Sequence, residues 1–203
     1  MGAAPTLFNA SQSTNFKFEV FNMTDDEATK INNINTAEKI KERISMIKEF
    51  KFVSVLNKNF ANNLMFIDTQ MEKFLSEMLK IYYGENVSRC AELATLLDER
   101  DPLKLKVENI YPHKVKKFLC ATALGLRPTK IWNGIDEANG GYIIVKESGE
   151  VLAYHLHDRN SFENYLLNNT RLETPSTSKH NFGRIYTEDG RKFINLNLQI
   201  RFL

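Results

Sequence analysis

The densest group of chemically capable side chains lies between Arg171 and Arg184, in the run RLETPSTSKHNFGR. Two arginines, a lysine, a histidine and four hydroxyl side chains are packed there. Lys and Arg supply charge and forked donors, while Ser, Thr and Asn add short-range hydrogen bonds, so the set suits phosphate oxygens and base edges. It suits equally well a polar connection between a helix and a strand, in which Ser and Thr satisfy their own backbone.

A second concentration of charge runs from Arg100 to Lys130. Arg100, Lys104, Lys106, Lys114, Lys116, Lys117, Arg127 and Lys130 are opposed there only by Asp101 and Glu108. Such a stretch is either a phosphate-facing surface or a solvated helix face. His113, His155, His157 and His180 show no metal spacing. His155 and His157 share one strand face and could meet on a zinc ion or a substrate, against the plainer reading of ordinary hydrogen-bonded histidines. Asp136 and Lys146 are suitable types for a nuclease centre, but Ile144 stands where a metal-binding carboxylate is needed. Asp98, Glu99 and Asp101 with Lys104 or Lys106 form another crowd, yet Asp101-Pro102 inverts the usual order, and solvated surface charge accounts for both sets. The chain has no glycine-rich phosphate loop, no G-x-S-x-G elbow and no H-E-x-x-H helix, which removes most familiar enzyme classes.

These side chains must be carried by a chain of 203 residues with 42% hydrophobic and 26% charged residues, ordinary for a globular protein with a real core. The net charge of +2 does not by itself diagnose a nucleic-acid partner. Cys90 and Cys120 each fall in an apolar helical pattern, so a reducing, cytoplasmic setting is expected rather than a disulfide framework. No apolar run approaches the roughly 18 residues of a membrane helix, and the N-terminus lacks a signal-peptide order.

The alternation of Phe16, Phe18 and Val20 predicts a strand over Thr14 to Phe21. Asn35 with Glu38 reads as a capping box for a helix through Ile40, Ile44 and Ile47 to about Phe50, followed by a strand from Lys51 to Leu56. Helical spacing continues from Ile67 to a glycine stop near Gly84, from Val87 to Leu97, and from Pro112, as an N1 residue, to Gly125. Beyond Trp132, YIIVK and VLAYHLH joined by ESGE predict a β-hairpin. Asn160 and Glu163 cap a short helix, and GRIYT joined to RKFINLNLQIRF through Glu188, Asp189 and Gly190 predicts a second hairpin. In its last strand the alternation assigns Ile194, Leu196, Leu198, Ile200 and Phe202 to the core and Asn195, Asn197, Gln199 and Arg201 to a polar face, whose amide stripe suits a DNA contact and a wet strand face equally. The expected class is α+β: a central helical section followed by two C-terminal β-hairpins in a mixed or antiparallel sheet. A helical subdomain over 24–130 and a β-rich part over 131–203 are the only visible division.

The run from GGYIIVK to INLNLQIRF, above all LNNTRLETPSTSKH and INLNLQIRF, resembles the C-terminal end of HpaII-type restriction endonucleases. GAAPTLFNASQSTNF resembles a block in the middle of those enzymes, and NKNFANNLMFIDTQMEKFL has their texture, so the resemblance spans essentially the whole chain. It implies a type II enzyme that binds a short palindrome, CCGG for the namesake, and cleaves both strands with Mg²⁺ in a PD-(D/E)xK-like centre. The D…(S/E)-x-K part of the family lies just before the block matched by Gly2 to Ser11. The chain is therefore expected to be a single C-terminal region over 1–203 that binds double-stranded DNA but lacks the cutting centre, with no metal held by its own residues. On this resemblance Arg171, Ser176, Thr177, Ser178, Lys179, His180 and Arg184 face DNA. The arginines suit guanine O6 and N7, and Ser and Thr suit phosphates or cytosine. Asn9, Ser11, Thr14 and Asn15, in the other matched block, are further candidates. A separately encoded N-terminal half and a two-fold homodimer are the implied partners. A complete metal-dependent endonuclease is the competing expectation.

Overall fold

The computed structural model describes residues 5–136, 141–145, 148–155 and 158–203; Lys146, His157 and the side chain of His155 lie outside the described residues. In chain order the strands are β1 (Thr6–Phe8), β2 (Asn15–Val20), β3 (Phe50–Val55), β4 (Gly141–Val145), β5 (Val151–His155), β6 (Thr170–Leu172), β7 (Ile185–Glu188), β8 (Arg191–Asn197) and β9 (Ile200–Phe202). The helices are α1 (Asp25–Asn32), α2 (Lys39–Ser45), α3 (Lys58–Ile67), α4 (Met71–Glu85), α5 (Cys90–Arg100), α6 (Ile110–Ala123), α7 (Arg159–Asn168) and α8 (Thr177–His180). The class is α+β. Every described strand pairing is antiparallel, and strands occur at both ends of the sequence rather than after the helices alone.

The larger sheet has the order β3-β2-β8-β7 and a second has the order β1-β9-β6, while β4 and β5 pair by themselves. Strand alternation turns Phe16, Phe18 and Val20 of β2 into the core, beside Ile194 and Leu196 of β8. Phe60 of α3 closes that layer, edge-on to Phe16 at 6.2 Å and 5.5 Å from Phe8. The Asp189-Gly190 connection has φ of 49° and 72°, the paired positive values of a two-residue hairpin turn that matches strand twist, as the Glu188 to Gly190 reading expected.

Several expectations are corrected. The last strand is not one strand: it leaves the larger sheet after Asn197 and enters the second at Ile200, and its amide face is internal, with Asn195, Asn197 and Gln199 all buried. Thr14 Oγ1 donates to Asn197 Oδ1 at 3.2 Å, and the Asn197 amide donates to Ser11 O at 2.7 Å and Asn15 Oδ1 at 2.6 Å. Tyr83 donates to the Asn197 carbonyl at 2.9 Å. Alternation fixes which residues share a face, but a second layer packed on that face decides whether it is wet. Asn35 does not cap α2: its oxygen takes the Lys39 ammonium at 3.2 Å, and the helix ends at Ser45, leaving Phe50 to open β3. Helix α4 passes through Gly84 and stops at Asn86, whose φ of 59° supplies the left-handed end. Pro112 is the third residue of α6, where its missing N–H still costs no helical bond. Asp158, not Asn160, caps α7 through Ser161 N. Helices α1 and α3 are additions that local signals could have found, the Thr24–Glu27 capping box and Asn57, which accepts from Phe60 N at 3.0 Å.

Both cysteines are buried, and burial pushes the Cys90 thiol up to about 12 and Cys120 up to about 11, so neither is a ready nucleophile. Among the described residues, no helix is long and apolar enough to cross a membrane.

Candidate nucleic-acid interface

The segment from Arg171 to Arg184 crosses one side of the protein, and the short helix α8 stands between two clefts on it. The first, of about 510 Å³, is lined by Ala37 and Glu38, by Lys39, Ile40 and Lys41 of α2, by Tyr82, and by Glu173 to Ser178. Tyr82 Oη and Thr174 Oγ1 close its floor at 2.9 Å. Ser176 caps α8, its Oγ accepting from Lys179 N at 3.4 Å and lying 3.3 Å from Ser178 Oγ. Ser176, Ser178 and Lys179 are exposed, Thr177 and His180 half-buried. Burial, and then the Lys179 charge, lower the His180 pKa below its ordinary 6.5, so at neutral pH it is an uncharged hydrogen-bonding ring.

The frame beneath this segment comes from distant parts of the chain. Asn15 donates to the carbonyls of His180 at 3.0 Å and Asn181 at 3.3 Å, tying the end of α8 to β2. Arg43 of α2, itself buried, donates to Gly183 O at 2.6 Å, Ile34 O at 2.6 Å and Asn32 O at 2.9 Å. Burial and the charge of Arg184 pull the Arg43 pKa down, but a guanidinium stays charged. Gly183 has a φ of 74°, and a Cβ there would run into the Ile40 side chain. On the far side, Asn32 both accepts from Ile185 N and donates to Ile185 O, each at 2.8 Å. Arg184 is thus held between two pinned neighbours, exposed, with no acidic partner among the described residues.

The second cleft, of about 440 Å³, is lined by Asn181, Phe182, Arg184, Ile185, Tyr186 and Asn195. Tyr186 donates to Asn195 Oδ1 at 3.1 Å.

The structure therefore brings Ser176, Thr177, Ser178, Lys179, His180 and Arg184 together and sets the other candidates apart. Arg171 lies on β6 opposite Arg201 of β9, and Glu173 is shared between their guanidinium groups at 3.3 Å and 3.1 Å. Asn9 is exposed. Ser11 and Thr14 form the capping box of the 3-10 turn Gln12–Thr14, and Thr14 and Asn15 are buried in the network around Asn197. Their hydrogen bonds run to neighbours inside the protein, and those of Asn15 reach the end of α8. Lys39 and Lys41, half-buried beside the first cleft, are not among the residues read from the sequence, and Lys41 is paired there with Glu38 at 3.1 Å.

Three cations of the basic stretch are paired with carboxylates elsewhere in the protein. Arg100 forks onto Glu85 at 2.5 and 2.7 Å, Lys114 pairs with Asp68, and Lys117 pairs with Glu163 at 3.1 Å. Lys104, Lys106, Arg127 and Lys130 remain exposed. The nearby carboxylates do not fit the Mg²⁺ that the resemblance implies. Asp101 accepts from Leu105 N at 2.8 Å, Lys106 N at 2.9 Å and Tyr111 Oη at 2.8 Å, and Asp98 accepts from Asn109 N at 3.0 Å. These oxygens shape the loop in which Asp101, Lys104, Lys106 and Asn109 all have positive φ. Asp136 faces Arg159 at 3.5 Å. Among the described residues, no three His, Cys, Asp or Glu side chains are placed to hold a metal ion.

Comparison with known proteins puts the chain in a family of restriction endonucleases. The family model described as HpaII restriction endonuclease matches residues 1–202, and the chain belongs to that family. The type II restriction enzyme HpaII of Haemophilus parainfluenzae is 43% identical over 207 residues, an alignment that covers 100% of this chain and 58% of that enzyme. The chain thus spans little more than half the length of that curated relative. No solved structure matches it.

Proposed function

We propose that this chain supplies DNA contacts for a type II restriction endonuclease, through the face formed by Ser176 to Arg184 and the two clefts beside it. The Mg²⁺-dependent cutting centre belongs to a part of the enzyme outside these residues. The observation that carries the reading is a pair of exposed cations, Lys179 and Arg184, with no acidic partner among the described residues, on a segment pinned by Asn15, Arg43 and Asn32. Rigid presentation of donors lowers the ordering cost of binding. The target in this reading is the CCGG palindrome, approached by a two-fold pair of enzymes. Fluorescence anisotropy without Mg²⁺, on a CCGG duplex and a scrambled duplex across a salt series, tests it. Binding should weaken with salt, and Lys179→Ala should flatten the log–log slope by about 0.9, the share of one phosphate that is no longer neutralised. An unchanged slope would remove this face from the interface, and cleavage by the chain alone would show that it holds a metal centre after all.

A second reading adds a protein partner. On the β4–β5 hairpin, Ile143 lies opposite Ala153 and Val145 opposite Val151, which puts all four on one face. Ile143, Val145 and Val151 are 69%, 61% and 58% exposed. An apolar sheet face left open in this way suits a protein contact. Its occupant in this reading is the polypeptide corresponding to the rest of the relative's length, of which this chain spans 58%. Mixing the chain with that portion should restore DNA cleavage and form a complex by sedimentation. The substitutions Ile143→Asp and Val151→Asp should abolish both while leaving the melting curve of this chain in place; a complex that survives them places the contact elsewhere.

A further inference from the structure

We infer that the cleft between Arg184 and Asn195 reads the edge of a guanine, with the Asn195 amide as a second donor beside the arginine. The inference rests on the proposed DNA contact and says what one part of that face recognises. Asn195 is 8% exposed, yet it lines the cleft, and only its oxygen is engaged, by the Tyr186 hydroxyl at 3.1 Å. The amide nitrogen has no partner among the described residues and is not one of the enclosed polar atoms, so it is open to donate into the cleft. Arg184 borders the same cleft with its guanidinium unpaired among the described residues, and its backbone position is set on both sides by the Gly183 and Ile185 hydrogen bonds.

The polarity of these groups selects the ligand. Both free groups are donors, so the matching edge must offer acceptors side by side. In the major groove, guanine presents O6 and N7, whereas adenine presents a donor next to its acceptor and demands an asparagine with both ends free. Tyr186 already takes one of the two lone pairs of the Asn195 oxygen and leaves the amide nitrogen as the wholly free end, which favours guanine. A phosphate is also acceptor-rich, and it would be gripped equally whatever the sequence. Strand alternation alone places Asn195 on a wet face, where nothing distinguishes it from its neighbours; the cleft gives it a separate role.

The test is a cycle between protein donor and base acceptor, measured by equilibrium binding of the full chain without Mg²⁺. The probes are duplexes covering the four-base palindromes, followed by versions of the preferred one in which a guanine is replaced by 7-deazaguanine, which lacks N7, or by 2-aminopurine, which lacks O6. The wild-type chain should prefer one G·C palindrome and lose about tenfold or more at one analogue position. Asn195→Leu should show the same reduced affinity on the natural duplex and no further loss on the analogue. If the leucine variant fails to melt cooperatively, Arg184→Ala, at an exposed position, takes its place in the cycle. A variant that keeps both the preference and the analogue sensitivity overturns the inference. Equal loss on every duplex identifies a phosphate contact and also overturns it. A wild-type chain that binds all duplexes alike refutes base reading here but leaves DNA contact intact, while one that binds none refutes the proposed function itself.

Discussion

Arg43→Ala is expected to destabilise the protein by about 3–5 kcal/mol, because it leaves the carbonyls of Gly183, Asn32 and Ile34 without their charged donor in a buried site. For a chain of this size that corresponds to a melting temperature lower by about 10 °C. Lysine should rescue only part of the loss, since one ammonium cannot span what the two arms of the guanidinium reach. The effect should extend to the candidate interface. Arg43 is the tie between α2 and the backbone beside Arg184, so under conditions where the variant is still folded its DNA affinity should fall as well. Calorimetric melting and anisotropy on the same samples check both parts; a melting point within about 1 °C of wild type would show that these carbonyls find other partners.

Asp68→Ala should be the next most damaging, by about 2–3 kcal/mol, because it strands the Lys114 ammonium, whose side chain is only 7% exposed. The same side chain accepts from Gln70 N at 2.7 Å at the entry to α4, so a helix start is loosened together with the ion pair. Asp68 is itself 30% exposed, which keeps the cost below that of a fully enclosed pair. Asp68→Asn keeps an acceptor for Gln70 and should lose less. Combining Asp68→Ala with Lys114→Met should recover stability relative to Asp68→Ala alone, since it removes the stranded charge. Urea denaturation of the single and double variants gives the coupling directly, and simple additivity of the two changes would mean that the pair contributes nothing specific.

Much of the fold can be read locally. The alternation around Phe16 and Phe18 is β2, the helical spacing through Phe74, Leu75 and Met78 is α4, and Asp189-Gly190 is the hairpin turn its composition calls for. Where boundaries differ from that local reading, the causes compete within a few residues. Asn35 is a suitable cap by type, but its oxygen takes a lysine instead. Gly84 is a suitable stop by type, but α4 continues to the left-handed Asn86 two residues later. Propensity and capping preferences are worth only about 1 kcal/mol each, so tertiary packing readily moves an end by a few residues.

The candidate site divides in the same way. Its chemistry is in the sequence: RLETPSTSKHNFGR announces donors, and the resemblance carried by LNNTRLETPSTSKH and INLNLQIRF announces the family to which the chain belongs. Which donors are free to act is a matter of distant neighbours. Arg171 shares Glu173 with Arg201, Thr14 and Asn15 are consumed around Asn197, and Arg100, Lys114 and Lys117 are paired with carboxylates far away in the chain. Arg184 and Lys179 remain exposed, and Asn195, placed by parity on a polar face, becomes the lining of a cleft. Residue type sets what a side chain can donate or accept, and strand and helix periods set which neighbours share its face. Whether that capacity meets solvent, a partner or a buried carbonyl depends on contacts between segments more than a hundred residues apart, as between Arg43 and Gly183, and only the folded chain brings those together.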